Sequence, residues 1–276
     1  MQADISILVE NTTPVPGLIG EYGFSAWLNI DGHKILFDTG SADALFHNAA
    51  QQGINLHEVE DLVISHGHFD HTGALLALCR DFGRKRIYTH PDIFAKKYVG
   101  NRPESRKEIG VPFAPKQLLD NGAEFIFIDQ FREIFPQIFI SGEIPRNNDF
   151  EDTGGSFKMQ VADEIIVDQL LDDMALIIDH PDGLIIVSGC AHAGVVNTIQ
   201  HACKMTKRSK ILAFVGGTHL INASENRLAR TIEAFRAMDI KKIAVGHCTG
   251  FYAAARLYNE LGTRLIKADA GTTLHF

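Results

Sequence analysis

His66-Gly67-His68-Phe69-Asp70-His71, inside the run Asp61-Leu62-Val63-Ile64-Ser65-His66-Gly67-His68-Phe69-Asp70-His71-Thr72-Gly73, decides how this chain is read. Four potential metal ligands fall within six positions, directly after the apolar run Leu62-Val63-Ile64, which reads as a buried strand. A strand that ends in a ligand-dense loop holds imidazoles and a carboxylate in fixed directions at the edge of a sheet. Imidazole nitrogen with carboxylate oxygen suits zinc, iron or manganese. The competing reading is a polar loop with chance histidines, since the chain has 13 of them in 276 residues. Three imidazoles and a carboxylate at this spacing weigh against it.

Three further histidines sit where an apolar strand has just ended. They close the runs Leu184-Ile185-Ile186-Val187-Ser188-Gly189-Cys190-Ala191-His192, Ile211-Leu212-Ala213-Phe214-Val215-Gly216-Gly217-Thr218-His219 and Ile243-Ala244-Val245-Gly246-His247. The grammar repeats: apolar strand, glycine to let the backbone turn, then histidine. In an α/β sheet, side chains at the carboxyl ends of strands converge in one crevice, where such folds place ligands. Asp38, in Phe37-Asp38-Thr39-Gly40, also follows a strand. It reads either as a turn residue opening the next helix or as a carboxylate that fixes the tautomer of a ligating histidine. His219 belongs to the site as a ligand, a substrate phosphate contact and proton donor, or a packing residue. His90 and His33 read as structural, and His47, His57, His180, His201 and His275 as surface or satisfied core.

The remaining pattern is that of sheets flanked by helices. Strands are expected at 5–9, 24–30, 34–37, 62–64, 86–89, 124–128 and 138–140, with a hairpin turn at Asp31-Gly32. Helices are expected at 42–52 and 74–81, and 142–155 reads as a long polar loop. From 174 onward, strands at 174–179, 184–188, 211–215, 242–245 and 264–266 alternate with helices at 194–204, 224–238 and 252–261. A β-rich first part followed by β-α-β-α-β points to an α/β fold. No linker divides the chain, so 1–276 is expected to be one domain. Residues 94–117 break the rhythm with Lys96, Lys97, Arg102, Arg106 and Lys107 among Gly and Pro. This is expected to be a solvated loop, the alternative being a basic lid or subunit contact near an anionic ligand.

Composition narrows the function classes. A net charge of −8 argues against a surface that tracks nucleic-acid phosphates. A phosphorylated small molecule stays possible, because bound divalent ions would supply local positive charge. The four cysteines (Cys79, Cys190, Cys203, Cys248) form no close-spaced pair and suggest no disulfide framework. No apolar run approaches the roughly 20 residues needed to span a bilayer, and residues 1–10 carry no basic leader-like stretch. A cytoplasmic protein with a small-molecule substrate is expected, with no membrane or nucleic-acid partner and with homo-oligomerisation left open.

The combination resembles the metallo-β-lactamase superfamily. Within it, the chain resembles the branch that contains dihydropterin-ribofuranosylaminobenzene 5′-phosphate synthase, an enzyme associated with methanopterin biosynthesis. The matching pieces are Glu21-Tyr22-Gly23-Phe24-Ser25, Phe37-Asp38-Thr39-Gly40, 66–73, Ser188-Gly189-Cys190-Ala191-His192-Ala193-Gly194, Gly216-Gly217-Thr218-His219-Leu220 and His247-Cys248-Thr249-Gly250. The resemblance implies an αββα sandwich of two mixed sheets flanked by helices. It also implies two divalent ions, zinc first, with manganese or iron as alternatives. Carried over by position, His66 and His68 would hold the first ion with His192, and Asp70 and His71 the second with His247. The chain departs from the commonest superfamily pattern, in which a Gly-Asp supplies a bridging carboxylate. No His occurs between His90 and His180, and Gly189 is followed by Cys190. Either Cys190 bridges as a thiolate, or His192 completes the first set without a bridge. His192 is preferred for its reach.

The activity implied is metal-dependent hydrolysis or a synthase-type transfer on a small phosphorylated or pterin-like substrate, with Asp70 and His219 as the catalytic candidates. The rival from another class is a non-catalytic metal-dependent binding or sensing protein on the same scaffold. A di-iron oxygen reductase would be expected to carry Glu in place of His68.

Overall fold

The computed structural model describes residues 1–276. The chain forms two compact units, one of 1–128, 157–168 and 269–276, the other of 129–156 and 169–268.

In the first unit, seven strands form one mixed sheet in the order Thr273–His275, Ala3–Val9, Ser25–Ile30, His33–Phe37, Asp61–Val63, Lys85–Thr89, Ala123–Phe127. The last strand in sequence pairs with the first, Ile5 lying opposite Leu274. The expected hairpin is present: Ile30 pairs with His33 across Asp31-Gly32. Both turn residues have positive φ, +47° and +90°, which matches the right-handed twist of the strands they join. From His33–Phe37 onward the neighbours are parallel. Leu36, Leu62 and Ile87 of those strands are buried with Leu45, Leu75 and Leu78 from the helices Ala44–Gln51 and Leu75–Phe82. Each helix presents an apolar stripe, so the sheet face and the helix stripe are withdrawn from water together.

The basic segment 94–117 is more than a solvated loop. Strands Lys97–Val99 and Lys107–Glu108 join Phe157–Val161 and Glu164–Val167 in a four-stranded antiparallel sheet. Lys97 is 1% exposed and its ammonium meets Asp168 at 2.8 Å. A buried ammonium is stable only when paired and hydrogen-bonded. The partner lies 71 residues away in sequence, so local charge spacing misreads this lysine as a surface residue.

In the second unit the sheet order is Leu265–Lys267, Lys242–Val245, Ile211–Gly216, Gly183–Ser188, Ala175–His180, Ile138–Ile140, Arg132–Phe135. The first four are parallel and the rest antiparallel. The helices Val195–Thr206, Glu225–Ala237 and Phe251–Leu261 supply Val195, Ile199, Leu228, Phe235 and Leu257 to a core shared with Ile186, Phe214 and Val245. Ser188 pairs with Gly216, and Gly216 with Val245, so three parallel strands end level. The loops that follow carry Cys190 and His192, His219, and His247.

Candidate metal centre

In the first unit the loop 66–71 follows the strand Asp61–Val63 through Ile64 and Ser65. His68 is the N-cap of a one-turn helix, Phe69–Thr72, that carries Asp70 and His71. Four residues are too few to leave a helical period in sequence, which is why this turn is absent from the sequence reading. His66 and His71 are fully buried, and His68 and Asp70 are 5% exposed.

Asp38 organises the loop. It is fully buried at φ +57°, a backbone region that costs a non-glycine residue about 1–3 kcal/mol. Its carboxylate accepts the Ser65 N–H and Oγ–H, both at 2.7 Å, and the His71 Nδ1–H at 2.7 Å. With its hydroxyl proton given to Asp38, Ser65 Oγ accepts from His66 Nδ1 at 2.9 Å. Both imidazoles are thereby fixed as Nδ1–H tautomers, with the Nε2 lone pair directed elsewhere. His66 Nε2 lies 3.0 Å from His68 Nδ1. His71 Nε2 lies 3.8 Å from Asp70 Oδ2. Two pairs of donors thus converge, one of nitrogen and nitrogen, the other of nitrogen and carboxylate oxygen. Such sets fit a divalent ion that takes imidazole and carboxylate ligands.

This geometry gives a first expected result. Asp38→Asn, which replaces an anionic acceptor by a neutral amide, should keep bound metal but lower affinity or rate by about 10–100-fold. Chelator competition together with steady-state rates checks it, and an unaltered variant would remove Asp38 from the site.

The segment 93–110 cradles the loop. Phe69 N–H donates to the Ile109 carbonyl at 2.9 Å, and the Phe157 ring packs on His68 at 5.3 Å between centroids. A side chain at Gly67 would meet the Ile93 carbonyl at 2.3 Å, so the residue between His66 and His68 has to be glycine.

In the second unit, the level strand ends carry a second donor set. The donor atoms of Cys190, His192 and His219 lie within 4.8 Å of one another, as do those of Cys190, His247 and Cys248. His219 and His247 have φ of +46° and +51°, and Ala191 +54°, so all three loops turn sharply at the strand ends. His192 is fully buried; its Nδ1–H donates to the Thr153 carbonyl at 2.8 Å, which directs Nε2 away from that loop. The His192 and His219 rings lie 4.2 Å apart. Cys248 Sγ accepts the His219 N–H at 3.3 Å. Burial alone would raise the Cys248 thiol, but the Cys190 thiol and the imidazoles of His247 and His219 more than offset it, and its pKa falls well below the usual thiol range.

Several residues that hold this set have no signature in sequence. Arg146 Nη1 donates to the His192 carbonyl at 3.2 Å, and Asp173 Oδ2 accepts the Ala193 N–H at 2.9 Å. Burial pushes the Asp173 carboxyl up to about 7, against the pull of the Ala193 and His192 backbone N–H groups. Glu151 caps the helix Val195–Thr206 by accepting the Val196 and Asn197 N–H groups, both at 2.9 Å. The other histidines serve local structure: His90 Nδ1 accepts the Asp92 N–H at 3.1 Å, and His201 Nε2 contacts the Ser141 carbonyl at 3.1 Å.

The metallo-beta-lactamase superfamily model matches residues 19–247. The 7,8-dihydropterin-6-methyl-4-(beta-D-ribofuranosyl)-aminobenzene-5′-phosphate synthase of Methanocaldococcus jannaschii is 30% identical over 267 residues, covering 93% of this chain and 90% of the relative. An uncharacterized protein of the same archaeon is 31% identical over 254 residues, 92% of this chain and 93% of its own length. Among solved structures, Tm1679, described as a metal-dependent hydrolase of the beta-lactamase superfamily, superposes with a TM-score of 0.84 at 27% identity. It covers 99% of this chain and 98% of its own.

Proposed function

This chain belongs to the metallo-β-lactamase superfamily, and on that premise we propose that it is a dinuclear metal-dependent enzyme acting on a small phosphorylated or pterin-like substrate. The observation that carries the reading is the loop 66–71, where His66 and His71 are held in one tautomer with Nε2 beside His68 and Asp70 respectively. His66, His68 and His192 would hold one divalent ion, zinc first with manganese or iron as alternatives. Asp70, His71 and His247 would hold the other. When bound, such a pair lowers the pKa of water and neutralises charge on attacked and leaving oxygens. Asp70 contributes a negative charge that orients the reacting group. His219, only partly buried beside His192, contacts the substrate's anionic group and donates a proton to the leaving oxygen. Residues 1–276 act as one domain, a reading supported by the four crossings of the chain between its two compact units.

Between the two reaction types, the synthase reading rests on the 30% identity to the M. jannaschii enzyme over most of both chains. In that reading a pterin bearing a diphosphate leaving group condenses with a ribofuranosyl-aminobenzene phosphate. The hydrolase reading rests on the likeness to Tm1679.

Reconstitution with zinc, manganese and iron in turn, followed by elemental analysis, should give about two ions per chain. One ion or none with every metal would overturn the dinuclear reading. The reconstituted protein is then offered pterin diphosphate with the aminobenzene riboside phosphate, and separately phosphoesters and lactones. Turnover of the first pair selects the synthase, and of the others the hydrolase. Two bound ions with no turnover of any would favour a binding or sensing protein.

A further inference from the structure

Arg227 stands out among the charged side chains. It lies in the first turn of the helix Glu225–Ala237, its backbone N–H held by the Ser224 cap at 3.1 Å. Its side chain is 2% exposed, and it ranks among the largest fully buried side chains. The guanidinium makes one ion pair, Nη1 to Asp152 Oδ1 at 2.5 Å, while Nε and Nη2 are buried without a hydrogen-bond partner. A buried guanidinium served by one mostly exposed carboxylate is a poor device for stability. An apolar side chain of similar volume in its place is often neutral or stabilising.

The ion pair gains meaning from what Asp152 holds. The same Oδ1 that meets Arg227 accepts the Gly154 N–H at 2.8 Å. Between them, the Thr153 carbonyl takes the His192 Nδ1–H at 2.8 Å. Gly154, at φ +82°, lies flat against His219; a Cβ there would fall 1.9 Å from the His219 ring. Three consecutive residues thus touch Arg227 on one side and both imidazoles of the unit's donor set on the other.

We infer that Arg227 is a positioning residue: through Asp152 it clamps the 152–154 turn, which fixes the His192 tautomer and the seat of His219. The inference rests on the reading of His192 as a metal donor. Its prediction is a split between metal binding and stability. Arg227→Met, which preserves volume, should weaken one of the two bound ions by about 10–100-fold, the range typical of partners that orient a ligand. It should also alter the visible spectrum of the cobalt-substituted protein, while the thermal midpoint of the apo form stays level or rises. Asp152→Asn, at an exposed side chain, should weaken the same ion. The double variant should be no weaker than Arg227→Met alone, because both changes break one link.

The test is chelator competition for zinc and the cobalt spectrum of Arg227→Met, Asp152→Asn, the double variant and His192→Ala. If His192→Ala loses an ion while Arg227→Met and Asp152→Asn keep wild-type affinity and spectrum, the inference fails and the reading of the site stands. If His192→Ala keeps both ions, that reading fails and takes the inference with it. Should Arg227→Met not fold, Asp152→Asn decides alone: unchanged affinity overturns the clamp.

Discussion

Asp70→Ala should leave one ion per chain in place of two and reduce turnover about 1,000-fold or more. Asp70 is 5% exposed and sits inside the one-turn helix Phe69–Thr72 with its Oδ2 3.8 Å from His71 Nε2. In the proposed site it is the sole carboxylate among six donors. Its removal therefore deletes both a ligand and the charge that balances the second ion. Metal-derived stabilisation of developing charge is worth several kcal/mol, and each 1.36 kcal/mol is tenfold in rate. Alanine suits a helical turn, so the variant should fold. Elemental analysis and the rate on the substrate identified above check the result. A variant with both ions and more than about one tenth of the activity would show that Asp70 is not a ligand.

The second large effect separates His192 from Cys190. His192→Ala should lose one ion, whereas Cys190→Ser should retain both and most of its activity. The expectation from sequence rests on the further reach of His192 past the strand end. Ala191 at φ +54° turns the backbone between the two residues, so reach along an extended path does not separate them. The contacts around His192 support the same expectation. The Thr153 carbonyl, Arg146 and Asp173 hold the ring and backbone around His192, an investment of contacts typical of an oriented ligand. Cobalt-substituted protein distinguishes the two: imidazole and carboxylate ligation gives no sulfur-to-metal charge transfer, while a Cys190 thiolate does. Metal lost from Cys190→Ser and kept by His192→Ala would reverse the assignment.

The histidine-bearing loops of the second unit were legible because each follows a short apolar strand and a glycine. This local grammar survives in the structure as the level ends at Ser188, Gly216 and Val245. The Asp31-Gly32 hairpin was legible for the same reason, since two residues with positive φ announce themselves chemically. Asp38 could be read as a tautomer-fixing carboxylate from its place after a strand, although its partner His71 lies 33 residues on. What could not be read depends on distant pairing. The strand Glu164–Val167 has no alternation to announce it, and its neighbour Phe157–Val161 pairs on the other side with Lys97–Val99 far upstream. Lys97 looks like a surface charge until Asp168 is beside it. Arg146, Thr153, Asp173 and Arg227 reach their partners across loops, and no spacing rule encodes such contacts.

The pairing of Thr273–His275 with Ala3–Val9 has a consequence for how the molecule comes into being. The strand Ala3–Val9 waits for one made far later, Thr273–His275, as its neighbour on that side. During translation the main-chain groups of Ala3 and Ile7 on this edge, which bond those of Phe276 and Thr272, wait for these partners to leave the ribosome. Ile5, fully buried in the finished fold, completes its surroundings only when Leu274 arrives. Pairings of such sequence separation form slowly, and open edges of this kind invite association with other chains. The newborn chain therefore carries this exposed edge late, with the other six strands of the sheet already made.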